Sequence, residues 1–192
     1  MSEHLIQRWL RDGDESAAEA LYDAYRVRIY RLAYALLGNG GDAEEVMQDV
    51  MVYMLNHLDR YDPQRATLIT WLHTITVSRC RDRGRRKRLP RVPLGDWEGE
   101  GGGTAAPGTG PEGTTIGRES RHELRRALGQ LSPKLREAIV LRYWGQHTYQ
   151  EIGQILGCPL STAQSRVRLA YERLRELLSP AGVPALEGES LR

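Results

Sequence analysis

An all-α chain, arranged as two small helical domains joined by a flexible linker rich in Gly and Pro, is predicted by three observations. Apolar residues recur at three- and four-residue spacing through most of the 192 residues. No stretch of useful length alternates as a half-buried strand does. The periodicity breaks once, at 89–117 (LPRVPLGDWEGEGGGTAAPGTGPEGTTIG), where Gly, Pro and Thr dominate and four acids face a single Arg. Such a segment has too little apolar surface to offset its ordering entropy, so it reads as a linker. The expected organisation is a first domain at 1–88, the linker at 89–117, a second domain at 118–178 and a tail at 179–192.

In the first domain a short helix is expected over 3–11 and a longer one over 15–37. The longer helix presents Leu21, Tyr25, Ile29, Leu32 and Leu36 on one face. Gly38, Asn39, Gly40 and Gly41 end it. Asp42 is then placed as the N-cap of a third helix, with Glu44 and Glu45 in its first turn, where acids suit the helix dipole. Its inward positions are Val46, Val50, Tyr53, Met54 and His57. Asp62 and Pro63 mark a turn, and a fourth helix follows over about 66–83, with Leu68, Leu72, Ile75 and Arg79 in register. The stretch 79–88, RCRDRGRRKR, carries seven basic residues and one acid and reads as a phosphate-facing patch.

The second domain opens with a helix over 123–131. Ser132 caps the next, with Pro133 at its first position. The stretch 148–168, TYQEIGQILGCPLSTAQSRVR, has the spacing of a helix, a tight turn and a second helix. Ile152, Ile155 and Leu156 form the buried stripe of the first, and Gly153 is small where the partner helix must cross closely. Gly157 suits a left-handed C-cap, and Pro159 stops continuation. Ser161 and Gln164 have the spacing of a capping box at the start of the second helix. Ser161, Thr162, Gln164, Ser165, Arg166 and Arg168 fall in its first turns, the part that enters a major groove in helix-turn-helix proteins. Val167, Ala170, Leu174 and Leu177 pack the helix back onto the domain.

Composition excludes several classes. The formal net charge is only +2, so the chain is not a general polycation, although Arg supplies 25 of its 27 basic side chains. Cys80 and Cys158 form no paired motif, and His4, His57, His73, His122 and His147 have no metal spacing; neither a metal site nor a cofactor is expected. No apolar run approaches membrane-spanning length and the amphipathic start lacks a signal-peptide core, which gives the expectation of a cytoplasmic protein without membrane insertion. Neither Ser16 nor Ser78 has a basic constellation around it, so no catalytic residue is assigned and no enzyme is expected. A conventional helix-turn-helix repressor or activator remains an alternative on the motif alone.

Two blocks weigh against that alternative. DAEEVMQDVM at 42–51, with the following LDRYDPQRATLITWLHTITVSRCRDRGRRKR, and LSPKLREAIVLRYWGQHTYQEIGQILGCPLSTAQSRVRLAYERLREL at 131–177 resemble the two conserved regions of an extracytoplasmic-function (group 4) sigma factor of the sigma-70 family of bacterial RNA polymerase. The resemblance covers nearly the whole chain outside the linker. It implies a sigma2-like and a sigma4-like domain without a sigma3 domain between them. The implied partners are core RNA polymerase, promoter DNA and an anti-sigma factor. It implies that the recognition helix reads a −35 element. It further implies that the loop 62–67 captures an unstacked base of the −10 element, so that Arg65, Ala66, Thr67, Trp71, Thr74, Ser78 and Arg79 line the strand. Asp42, Glu45, Gln48 and Asp49 would then face the core polymerase. The linker acids Asp96, Glu98, Glu100 and Glu112 would follow the nucleic-acid path. The sequence departs from the family at four informative places. Gln164 and Leu169 stand where basic residues are common, and Gln146 and His147 replace the usual Gly-Leu before the motif.

Overall fold

The computed structural model describes residues 2–88 and 115–178; the expected linker outside 115–117, with its four acids, and the tail at 179–192 lie outside the described residues. Every regular element among the described residues is a helix, with no strand among them. The first domain comprises α1 (Ser2–Asp12), α2 (Glu15–Leu37), α3 (Gly40–Asn56), a 3₁₀ turn (Leu58–Arg60) and α4 (Leu68–Arg88). The second comprises α5 (Thr115–Gln130), α6 (Pro133–Tyr143), α7 (Tyr149–Leu156) and α8 (Leu160–Leu177). The helix α5 therefore begins inside the stretch read as linker.

Local chemistry sets the helix ends. The Asp14 carboxylate accepts from the Ser16 and Ala17 amides and starts α2, and Gly38 ends it at φ 71°. The next start differs from the sequence expectation. Asn39, not Asp42, is the N-cap of α3, and its side chain accepts from the Asp42 amide at 2.9 Å. Two glycines thus enter the first turn, and Asp42 is moved inward to the third helical position. The helix α4 begins at Leu68 rather than near Ala66, because the Thr67 hydroxyl caps it by accepting from the Thr70 amide.

The stripes of α2, α3 and α4 meet in a core of Leu21, Ile29, Leu32, Val50, Met51, Met54, Leu58 and Leu72. In the second domain Ile139, Leu141, Ile152, Ala163, Val167 and Ala170 play the same part. These two groups belong to one continuous apolar cluster. The reason lies in α4, which buries two faces. Leu68 and Leu72 face its own domain, whereas Thr70, His73 and Thr76 are also buried, and α4 packs on α7. Likewise α2 packs on α6.

Candidate nucleic-acid interface

The helix-turn-helix is fixed by three backbone conditions. Thr148 and Glu151 form a reciprocal capping box at the start of α7: the Thr148 hydroxyl accepts from the Glu151 amide, and the Glu151 carboxylate accepts from the Thr148 amide at 2.8 Å. Gly157 ends α7 at φ 65°. A Cβ on Gly153 would lie 2.8 Å from the Cys158 carbonyl oxygen, so only glycine lets the turn fold back over α7. The capping box expected at Ser161 and Gln164 does not form. Pro159 is the N-cap of α8, with no side-chain cap bond, and its carbonyl accepts from Thr162 and Ala163. Proline already supplies the extended entry, at φ −57° and ψ 152°, so Ser161 falls inside the first turn and is left for other contacts.

The outer face of α8 presents Ser161, Gln164, Ser165 and Arg168, all exposed, with Thr162 half-buried beside them. Leu169, 47% exposed, extends this face where a charge would have strengthened phosphate binding. Arg168 has Glu172 one turn away at 3.9 Å, a weak, solvated pair that leaves its guanidinium available. Arg166 departs from the group. It is half-buried and lines a groove of about 500 Å³ with Leu36, Arg81, Glu137 and Leu156, between the two domains. It makes no ion pair among the described residues.

The second group lies on the first domain. The loop before α4 is pinned by an Asp62 carboxylate that accepts from the Gln64 amide at 2.9 Å and by the Tyr61 hydroxyl, which donates to the Ala66 carbonyl at 3.1 Å. This holds Arg65 and Thr67 exposed, with Ala66 half-buried between them. Thr74 and Ser78, one turn apart, continue the exposed surface along α4. Trp71 is half-buried and tilts against Tyr61 and Tyr53, at 5.7 and 6.3 Å between centroids. It supports the loop as part of an aromatic cluster and is only half-buried there. Arg79 lies over the Tyr53 ring at 5.6 Å, which orients it at the end of this surface.

On α3, Gln48 and Asp49 are exposed as expected. Asp42 is not: it is 7% exposed and pairs with Arg83 of α4 at 2.9 Å. Glu45 is exposed but shares the same Arg83 guanidinium. The basic stretch at 79–88 is therefore divided: Arg81 and Arg83 serve internal carboxylates, and Arg79, Arg85 and Arg86 remain on the surface or half-buried near it.

A further set of residues was not anticipated, namely the seam between the domains. Arg81 donates two hydrogen bonds, 2.8 and 2.7 Å, to the Glu137 carboxylate, which is buried. The Thr70 hydroxyl donates to Glu151 at 3.2 Å, and Arg136 donates to the Leu36 carbonyl at 3.1 Å. His73 Nδ1 and His147 Nε2 are 2.6 Å apart, and both imidazoles are buried. Burial pushes the His73 imidazole down to about 3, and burial also lowers His147 against the opposing pull of Glu151. Gln146 takes a left-handed conformation at φ 57°, which turns His147 inward. The replacement of Gly-Leu by Gln-His was the sequence signal for this feature. No group of three or more metal-ligating side chains gathers among the described residues, and none of their helices is long and apolar enough to cross a membrane.

Comparison with known proteins agrees with this anatomy. Residues 21–89 match Sigma-70 region 2 and residues 121–174 match Sigma-70, region 4. The ECF RNA polymerase sigma factor SigW of Bacillus subtilis is 30% identical over 174 residues, covering 88% of this chain and 92% of that protein. The RNA polymerase sigma factor CarQ of Myxococcus xanthus is 32% identical over 168 residues, covering 88% and 92%. Among solved structures, CnrH in complex with the cytosolic domain of CnrY shares the fold, with a TM-score of 0.66 at 21% identity over 92% of this chain and 97% of that one. RpoE in complex with the anti-sigma factor NepR from Bartonella quintana gives 0.59 at 26% identity, over 85% and 94%. The chain belongs to the extracytoplasmic-function sigma factors of the sigma-70 family.

Proposed function

We propose that this chain directs promoter-specific initiation with its two domains reading separate elements: the loop 62–67 and the Thr74/Ser78 face read the −10 element, and the outer face of α8 reads the −35 element. A sigma factor lends core RNA polymerase its promoter specificity, and the residue assignments follow from exposure and chemistry. One observation carries the reading: two distinct exposed polar surfaces, one on a helix-turn-helix and one on a pinned loop, occur on a single chain. A conventional repressor has use for only the first.

The recognition helix supplies Gln164 and Arg168 for base edges or phosphates, and Ser161, Thr162 and Ser165 for short contacts. Arg166 joins them when the groove beside it opens. Gln can bond adenine through two hydrogen bonds, which favours adenine opposite Gln164. At the other element, each base-pair step melted costs about 1.4 kcal/mol of stacking, and a loop that holds an unstacked base offsets part of it. Arg65 and Arg79 supply phosphate contacts, and Ala66 and Thr67 form the floor against which a base can sit. Gln48, Asp49 and the exposed side of Glu45 on α3 dock on the core enzyme, while Asp42 acts through Arg83 as a strut within the domain. Regulation by an anti-sigma factor is supported by the fold shared with the RpoE of the NepR complex. The site of action is the cytoplasm, beside the polymerase, and the role is DNA binding rather than catalysis.

The test is run-off transcription by core enzyme plus this chain over a randomised promoter library. Enrichment of paired −10 and −35 elements is expected. Binding of the free chain to a duplex palindrome, with no association with core enzyme, supports a repressor instead.

A further inference from the structure

The two readers face each other. Across a groove of about 320 Å³, Gln64, Arg65, Ala66 and Thr67 lie opposite Gln150, Glu151 and Gln154 of α7. Thr70, at the start of α4, is hydrogen-bonded to Glu151. A DNA strand entering the loop would meet the helix-turn-helix and the Glu151 carboxylate, which repels phosphate. The separation of the elements gives the same answer. Positions −10 and −35 are about 25 steps apart, or roughly 85 Å at 3.4 Å per step. Two domains in hydrogen-bonding contact cannot occupy both. The described arrangement is thus one that does not read a promoter, and the seam must part first.

What holds the seam has an unusual centre. Glu151 lies 3.7 Å from His147 Nδ1, so the proton of that imidazole is best placed on Nδ1. Its Nε2 then accepts, and His73 Nδ1 donates. His73 Nε2 is left as a buried lone pair with no hydrogen-bond partner among the described residues. A further proton has to go there, into an apolar surround, or onto the nitrogen that accepts the bond. Either choice breaks the pair or buries a charge. The groups that face the two rings are Arg28 of α2, which opposes protonation of both, Glu151 of α7, which favours it at His147, and Arg142 of α6, whose guanidinium donates to the His147 carbonyl at 3.1 Å. We propose that His73 and His147 form a proton-operated latch that holds the −10 loop shut against the helix-turn-helix and releases it on mild acidification.

The sign follows from linkage. Both imidazoles titrate below their ordinary value when the seam is closed, His73 at about 3, and return toward about 6.5 when it opens. The open state therefore binds more protons. Closure is undiminished above about pH 6.5 and weakens as pH falls from there toward the closed-state values. Each imidazole contributes up to about a tenfold shift toward the open state per pH unit, and the pair up to about a hundredfold. The functional meaning of release rests on the promoter reading above, but the motion itself does not.

The experiment is a fluorescence energy-transfer measurement on the full chain. Dyes are attached at Val52→Cys and Arg175→Cys, both exposed positions, in a Cys80→Ala, Cys158→Ser background. Helix content is followed in parallel by circular dichroism. Between pH 8 and pH 5.5 the inter-dye distance should change with helix content constant. The change should vanish in His73→Gln/His147→Gln, whether that variant rests closed or open. An unchanged distance in the parent chain, the same change in the double variant, or a change that accompanies loss of helix overturns the proposal. Failure of promoter reading appears instead in transcription, which this assay does not involve.

Discussion

Arg83 on α4 reaches across the first domain to Asp42 in the first turn of α3, with Nη2 at 2.9 Å and Nε donating at 3.0 Å. The same guanidinium also engages Glu45. Its charge is held firmly, chiefly by the Glu45 hydrogen bond and then by Asp42, although partial burial opposes it. The pair joins α3 and α4, the helices proposed to meet the polymerase and the −10 strand, so it sets their relative position.

That relationship separates structure from docking. Asp42→Asn should cost the domain about 1–2 kcal/mol, the value of a charge-assisted hydrogen bond with one partner partly solvated. It should leave core binding intact at temperatures below unfolding. Asp49→Ala and Gln48→Ala should do the reverse, weakening core binding with thermal stability within about 0.5 kcal/mol of the parent. Denaturant melts paired with core-enzyme titrations distinguish the two behaviours.

Gly153→Ala should destabilise the helix-turn-helix by about 1–3 kcal/mol, because the added methyl meets a carbonyl oxygen that belongs to the backbone and cannot swing away. Urea unfolding of the full chain measures it, and a loss of less than about 0.5 kcal/mol would mean that the turn can shift freely.

Gln146→Gly should act in the opposite direction. A left-handed Gln costs about 1–2 kcal/mol, and glycine returns about 0.5–1 of that through its more flexible unfolded chain. A net gain of about 0.5–1 kcal/mol in the same urea experiment is expected.

On the recognition helix, Gln164→Ala should relax preference at one −35 position by about 1–3 kcal/mol, seen as flattened selectivity in a binding library. Gln164→Lys should instead raise affinity on all sequences and steepen the salt dependence by about one phosphate contact. A uniform loss of affinity in Gln164→Ala, without loss of selectivity, would make this residue a backbone contact.

Much of this molecule is legible in its amino acids because its helices are short-range objects. The bounds 15–37 of α2 follow from an apolar stripe and the glycines that begin at Gly38, all within one segment. The turn of the helix-turn-helix follows from Gly153, Gly157 and Pro159 for the same reason. The seam was not legible. His73 and His147 are 74 residues apart, and each alone reads as an isolated polar residue. Thr70, His73 and Thr76 form a second stripe on α4, but a polar stripe signals burial only once a partner surface is known. The displacement of the α3 cap from Asp42 to Asn39 has a subtler reason. Both Asn39 and Asp42 are good caps, and two glycines between them weaken the case for the earlier start. The winning factor was Arg83, which gives Asp42 a partner inside the domain.

In the proposed function, one chain carries two promoter readers that act together on core polymerase. The most direct measurement is transcription by core enzyme from a selected promoter, with spacers lengthened in single base pairs between its two elements. Initiation should depend on both elements, collapse when either is scrambled, and fall steeply as the spacer departs from its selected length. Initiation that survives loss of the −10 element, or no dependence on this chain at all, would contradict it.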